Sequence, residues 1–515
     1  MDSFGFLAAI PFVLSVFFVL WQEDVIFPLL GGLFIGSIIF SKFNPVFGFL
    51  NITDVFIVNA LTDNLNVFVL FIIAEGVLLF SLLNRGGYLS TIRKEIIKKR
   101  LSTDRLQHFI SLSTVLLFID RYLASLLVGL FSKPFAEKKK LSPEKHAFLL
   151  NTLSSSFATL IPFTTLIPLI IVAIGTAFGG LGIGYSPSRA FFRSLPFQYY
   201  NIFSIFVAAS TILLNKELFL MRRFGAKQEY KTKVSDSLTF DMGLITKRQT
   251  SVNRSFAAAG ALLLVFGMIA ANLIVKGRGY DRFSIMSMET HLKTFIGALF
   301  TGILYVILFS LITKTESYSS FKSKDHALSY SLLVTFLYLL LAMSIESLAR
   351  KLELSSSVIG ILFQKPVATP FLPLIFFIFS SCISFLSGSF LITASTAIPL
   401  AIRLVSSSMP DPLIIESVVF ASVGAVISGA SFGDINSPFS INFIISTAAA
   451  ETSVYRHFKS QISYSVLAFV VTLVFGYLLF AIGVKPYLSI ASGMLVIGIS
   501  FFFLYNDAHI IKRIK

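Results

Sequence analysis

Very few of the residue types that usually carry chemistry are present. The chain has one cysteine, Cys382, one tryptophan and six histidines in 515 residues. A lone thiol inside an apolar segment excludes an intrachain disulfide framework and any cysteine-based zinc site. The histidines fall mostly in loops, no two at metal-ligand spacing, and His146 begins a helix after Ser142-Pro143-Glu144, where capping accounts for its surroundings. Charged residues make up only 13% of the chain, too few to cover a soluble surface of this size. No G-x-x-x-x-G-K-[ST] is present, which argues against an ATP-driven pump within this chain, and no H-E-x-x-H or G-x-S-x-G stands in a suitable context. The N-terminal apolar run, 4–20, has no basic flank and no small-residue cleavage site, so it reads as a retained helix rather than a signal peptide.

What fills the chain is hydrocarbon. Hydrophobic residues are 55% of it and phenylalanine alone supplies 57, giving a mean hydropathy of +0.83. Apolar runs recur at 256–275, 295–313, 328–345, 462–481 and 488–505, each long enough to cross a hydrocarbon layer about 30 Å thick. The fold class is therefore an all-α polytopic membrane protein. The formal charge of +16 does not signal nucleic-acid binding, because Lys and Arg sit in the connectors, as they do in cytoplasmic loops of membrane proteins.

Charge also threads the chain. Basic residues crowd both 84–107 and 132–145, yet only one apolar stretch, 108–131, separates them. Both loops stay inside if that stretch is a re-entrant hairpin with Asp120-Arg121 near its tip. A second hairpin is expected over 371–402, with Ser387-Gly388-Ser389 at its tip. The expected architecture has about 11 transmembrane helices plus these two hairpins in an inverted repeat. Its parts are an N-terminal helix (1–24), a first repeat (25–213), a basic cytoplasmic linker (214–254), a linking helix (255–293), a second repeat (294–482) and a C-terminal helix with a basic tail (483–515). Within it, single spans are expected near 25–41, 62–83, 147–178, 190–213 and 412–450, the last one broken.

The stretch 429–440, Gly-Ala-Ser-Phe-Gly-Asp-Ile-Asn-Ser-Pro-Phe-Ser, places a carboxylate, hydroxyls and helix breakers in this apolar setting. Irregular backbone survives at membrane depth only where protein or a wet cavity satisfies it, so Asp434 with Asn436, Ser437 and Ser440 marks an ion or solute site. Asn151, Thr152 and Ser155, before the Pro162 break, and Ser387 and Ser389 are the matching candidates elsewhere. The hydroxyls have a second reading, since membrane Ser and Thr commonly bond back to the preceding turn. Asp120 is either functional or an internal partner of Arg121, and Glu75, mid-span, is either a proton carrier or the partner of a buried arginine. Glu346, near the outer end of its helix, reads as a wet interfacial side chain.

These motifs in this order resemble the NhaC-type Na⁺/H⁺ antiporter family of the ion-transporter superfamily, over about residues 25 to 470. Asn84-Arg85-Gly86-Gly87 looks like the family's S-R-S-G-G turn, and 118–134 like its F-x-D-D-Y-x-N-x-L-x-V-G-x-x-x-R-P hairpin. The segment 141–148 is similar to I-S-R-E-K-L-A-Y, 385–393 to F-A-T-G-T-S-W-G-T, and 429–440 to G-A-x-F-G-D-x-x-S-P-x-S. The departures strip acids: Arg121 stands at the second of two adjacent carboxylates, Asn151 replaces the acid of D-S-T-A-A-P, and Ser440-Ile441-Asn442-Phe443 stands at S-D-T-T.

The resemblance implies a secondary transporter of a bacterial cytoplasmic membrane exchanging Na⁺ for H⁺, with Asp434 the Na⁺ ligand and Asp434, Asp120 and Glu75 the candidate proton carriers. It implies no enzyme activity and no cofactor beyond the transported ions. The lost acids keep open a carrier for an organic ion or amino acid on the same fold and, more remotely, an intramembrane hydrolase built on Asp434 and Asp120. The expected partners are the lipid bilayer and Na⁺ and H⁺ or a small organic ion. A homodimer is one assembly compatible with the sequence.

Overall fold

The computed structural model describes residues 4–85, 88–89, 102–162, 164–214, 216–218, 221–222, 260–261, 263–265, 267–269, 271, 288–312, 326–360, 368–407 and 412–511. Among the described residues there are helices and connectors and no strand. Ten of the described helices are long and apolar enough to cross a membrane, and three shorter apolar helices, Ile26–Phe40, Ile167–Leu181 and Tyr199–Leu213, pack among them. The chain is thus an all-α polytopic membrane protein. Most of the basic linker at 214–254 and of the linking helix at 255–293 lies outside the described residues, as does the whole of the basic stretch 90–101.

The interruptions fall where local chemistry opposes a continuous helix. In the first hairpin Thr103–Leu116 is followed by Arg121–Lys138. Asp120 between them is extended, and its carboxylate accepts from Leu123 N at 2.9 Å. A short acidic side chain gains more as an N-cap than inside a helix. The second hairpin joins Leu372–Ser387 to Phe390–Ser407 through Gly388 at φ +68, a left-handed turn that glycine adopts without penalty.

Each hairpin is followed by a broken helix. The first, Pro143–Leu160, is capped by Ser142 and stops before Pro162; the chain resumes at Ile167–Leu181. The second runs Pro412–Asn436, breaks at 437–440 around Pro438, and continues as Ile441–Ala450. Each hairpin tip rests on the break of its own half. Thr165 N donates to Ile119 O at 3.0 Å, and a Cβ at Gly388 would fall 2.7 Å from the carbonyl carbon of Phe439. Both halves thus follow one order, a hairpin whose tip abuts the break that follows it.

Burial orders these elements. In Glu416–Ala450, 94% of the apolar window is enclosed by protein, against 22% for Pro486–Phe503. The broken helices are therefore central, and the terminal helices present apolar side chains outward. Gly433 makes the central packing possible, because a Cβ there would sit 2.2 Å from the backbone of Ser384.

Two details differ from the sequence reading. A further apolar helix, Pro45–Thr62, stands where a connector was expected between the spans near 25–41 and 62–83. Asn44 caps it and Pro45 occupies its first turn, so a start signal was present in an ordinary-looking stretch. The helical arms of the hairpins are also longer, reaching Lys138 and Ser407.

Candidate functional site

Asp434 lies in the last turn before the second break and is 2% exposed. Its Oδ2 accepts from Arg121 Nη1 at 2.5 Å and from Ser155 Oγ at 2.9 Å, and its Oδ1 accepts from Ser440 Oγ at 3.1 Å. The carboxylate is thus the meeting point of the first hairpin tip, the first broken helix and both sides of the second break. A hard cation would find four oxygens here, two of the carboxylate and two hydroxyls.

The seat opposite the carboxylate is held by a guanidinium. Arg121, at the position where the family resemblance carries a second acid, is 3% exposed. Its Nη2 donates to Tyr122 Oη at 2.7 Å, and its guanidinium carbon stands 4.7 Å from the Tyr122 ring and 5.7 Å from the Phe390 ring. Its Nε has no hydrogen-bond partner. Two charges taken out of water tolerate one another only as a pair. The internal Asp120–Arg121 pairing considered from sequence is not formed: the Asp120 carboxylate caps its own helix and accepts from Thr165 Oγ1 at 3.0 Å, while Arg121 reaches across to Asp434.

Behind this pair is a network of amides and hydroxyls. Asn442 Nδ2 donates to Ser155 Oγ and Ser154 Oγ, both at 2.9 Å, and to Asn151 Oδ1 at 3.1 Å; its Oδ1 accepts from Ser125 at 3.0 Å. Asn151 Nδ2 donates to the helix-end carbonyl of Ile435 at 2.7 Å. Gln461 Nε2 donates to Thr152 Oγ1 at 3.0 Å, and Gln461 Oε1 lies 2.9 Å from His457 Nε2. Neutral partners at the resemblance's acid positions make this network uncharged up to the ion pair.

Of the residues singled out from sequence, Asp434, Ser440 and Ser155 converge, with Asn151 joined to Ser155 through Asn442 and Thr152 held further off by Gln461. Asp120 adjoins the site without contacting Asp434. Ser437 accepts from Phe439 N within the break, and Asn436 turns to Tyr200 Oη and the Phe432 carbonyl. Ser387 bonds back to Ile383. Glu75 is partly exposed on Asn64–Arg85, and no hydrogen bond of the cluster reaches it. Glu346 corrects its expectation: it is 5% exposed, accepts from Ser389 Oγ at 2.9 Å and lies 3.5 Å from Arg350 Nη2. The i,i+4 acid–base spacing of Glu346 and Arg350 was the available signal. For Asn442 and Gln461 the signal was an amide in a strongly apolar context. Among the described residues no cluster of three or more His, Cys, Asp or Glu side chains could hold a metal ion.

Similarity to known proteins extends over most of the chain. A model of the Na⁺/H⁺ antiporter family matches residues 164–482. An uncharacterized protein of Haemophilus influenzae is 25% identical over 484 residues, covering 88% of this chain and 87% of its own length. The structure of Neisseria gonorrhoeae MtrF, reported as illuminating a class of antimetabolite efflux pumps, is 15% identical at a TM-score of 0.34, covering 85% of this chain and 84% of that one.

Proposed function

We propose, from the premise that this chain belongs to the Na⁺/H⁺ antiporter family, that Asp434 is the carboxylate at which Na⁺ and H⁺ are exchanged and that Arg121 fills the seat between turnovers. The protein is a secondary transporter of the membrane; we assign it to a bacterial cytoplasmic membrane, in keeping with the bacterial source of the Haemophilus influenzae relative.

The observation that carries the reading is the buried carboxylate with two hydroxyls and a guanidinium at 2.5 Å. A bare Asp434 in this setting would be costly, and it is made tolerable by a positive charge. Three can serve: the Arg121 guanidinium, a proton or a dehydrated Na⁺ held by carboxylate and hydroxyl oxygens. Because the three exclude one another at one carboxylate, occupancy by one releases another, which is the condition for exchange. Loss of the family acids at 121, 151 and 441 leaves Asp434 as the principal negative charge for a cation, with Arg121 replacing one of those acids as an internal competitor.

Arg121 also supports a second reading on the same fold. A buried guanidinium beside two aromatic rings suits an organic carboxylate, which could take Asp434's place. Purified protein in proteoliposomes separates the two. Internal pH is followed while Na⁺, Li⁺, K⁺ and a panel of amino acids are added in turn. Proton movement on Na⁺ or Li⁺ addition supports exchange; uptake of an organic acid without cation-driven proton flux transfers the case to the second reading.

A further inference from the structure

If a cation takes Asp434, the displaced guanidinium needs another partner in a setting that tolerates no unpaired charge. Asp120 is occupied, one oxygen by Leu123 N and the other by Thr165 Oγ1. Among the described residues the remaining acid near the pair is Glu346. Its carboxylate is bonded by Ser389, the residue next to Phe390, whose ring lies 5.7 Å from the Arg121 guanidinium. Arg121 Nε, buried and without a partner, leaves the guanidinium one unmade hydrogen bond.

Glu346 also faces water at one remove. Arg350, 53% exposed, lies 3.5 Å from Glu346 and 3.0 Å from Asp63. Those two outer residues line a polar cavity of about 240 Å³ together with Asn59, Thr62, Asn66 and Ser347. Ser389, besides holding Glu346, caps the second arm of the hairpin through Ile392 N at 3.2 Å. Glu346 therefore stands between the cavity, the hairpin tip and the ion pair.

Resting on the exchange reading above, we propose that Glu346 is the second seat of the Arg121 guanidinium. A cation at Asp434 moves Arg121 to Glu346, Arg121 competes there with Ser389 and Arg350, and the hairpin tip and the cavity thereby register occupancy of the site. Glu346 is a positioning residue in this scheme. It acts on Na⁺ affinity through Arg121 and contacts no transported ion in the bound state.

The test is made on full-length purified protein carrying Cys382→Ser and Ser347→Cys, with two readouts: equilibrium binding of radiolabelled Na⁺, and the rate at which the introduced cavity thiol reacts with a maleimide with and without Na⁺. Expected for the parent is saturable Na⁺ binding and a Na⁺-dependent labelling rate. Glu346→Gln should weaken Na⁺ binding by about tenfold, the size of a lost charge-assisted hydrogen bond, and abolish the labelling response; Glu346→Asp should restore part of both. Ser389→Ala, a smaller change that spares folding, should retain binding within about threefold while losing the labelling response. Parent-like binding and labelling in Glu346→Gln overturns the second seat and leaves the exchange reading intact. A Na⁺ response that persists in Ser389→Ala overturns the link to the hairpin tip. A parent that binds no Na⁺ overturns the exchange reading itself, and this inference with it.

Discussion

At the scale of the residue, the decisive position is Arg121. Read alone, Asp434→Asn is a nearly isosteric change expected to remove charge and leave folding untouched. Read with its partner, it strands a guanidinium that is 3% exposed. Removing one member of a buried pair costs about 3–5 kcal/mol, much of it from the charge left behind. Arg121→Gln and Asp434→Asn should therefore each lower the thermal midpoint in detergent, and the double variant should lose far less than their sum. Strict additivity would mean that the pair is not formed in solution. Asp434, Ser440 and Ser155 were legible because a carboxylate and hydroxyls beside helix breakers are conspicuous in apolar sequence. Arg121's partner was not, since 313 positions separate the two residues and the neighbouring Asp120 offered a nearer acid. Asp120 was unavailable for a reason visible only in three dimensions: an extended residue at a helix start spends its carboxylate on backbone N–H groups.

At the scale of the element, breaks and tips act together. The helix–turn–helix and broken-helix pairs were legible from polar tips and from Gly, Pro and Ser clusters, although their ends were not, because apolar runs do not mark where a helix stops. Gly433 tests the packing of the second pair. Gly433→Ala puts a methyl group against the Ser384 backbone, which cannot move aside as a flexible side chain would. It should cost about 1–3 kcal/mol, seen as a lower midpoint and weaker Na⁺ binding. Gly179→Ala, in the helix Ile167–Leu181 with open space around it, is the control and should be neutral or stabilising by up to about 1 kcal/mol. Equal losses in both would remove close backbone approach as the cause.

At the scale of the whole molecule, polar contacts tie the two halves together away from the site. Lys133 of the first hairpin pairs with Glu451, and Glu144 at the start of the first broken helix meets Arg456 at 2.7 Å and accepts from Thr452 Oγ1 at 3.3 Å. Lys145, 1% exposed, ties the first half to the start of the linker instead, reaching Glu217 at 3.1 Å. These cross-links lie beside the loop that the positive-inside rule assigns to the cytoplasm, so single cysteines at 136–142 and at 88–104, in a Cys382→Ser background, should both resist an impermeant thiol reagent in intact cells. Opposite labelling of the two loops would rule out the re-entrant path. The number of spans was close to legible from hydropathy, whereas Pro45–Thr62 escaped notice because its window, at a mean hydropathy of 1.4, falls at the weak end of the candidate spans. The central claim for the molecule is that Na⁺ and Arg121 compete for Asp434, and radiolabelled Na⁺ binding to the parent, Arg121→Gln and Asp434→Asn measures it most directly. Removal of the competitor should tighten binding, by about tenfold if the lost contact has the strength of a charge-assisted hydrogen bond, while Asp434→Asn should bind none. Equal affinity in the parent and Arg121→Gln, or retained binding in Asp434→Asn, would contradict the account.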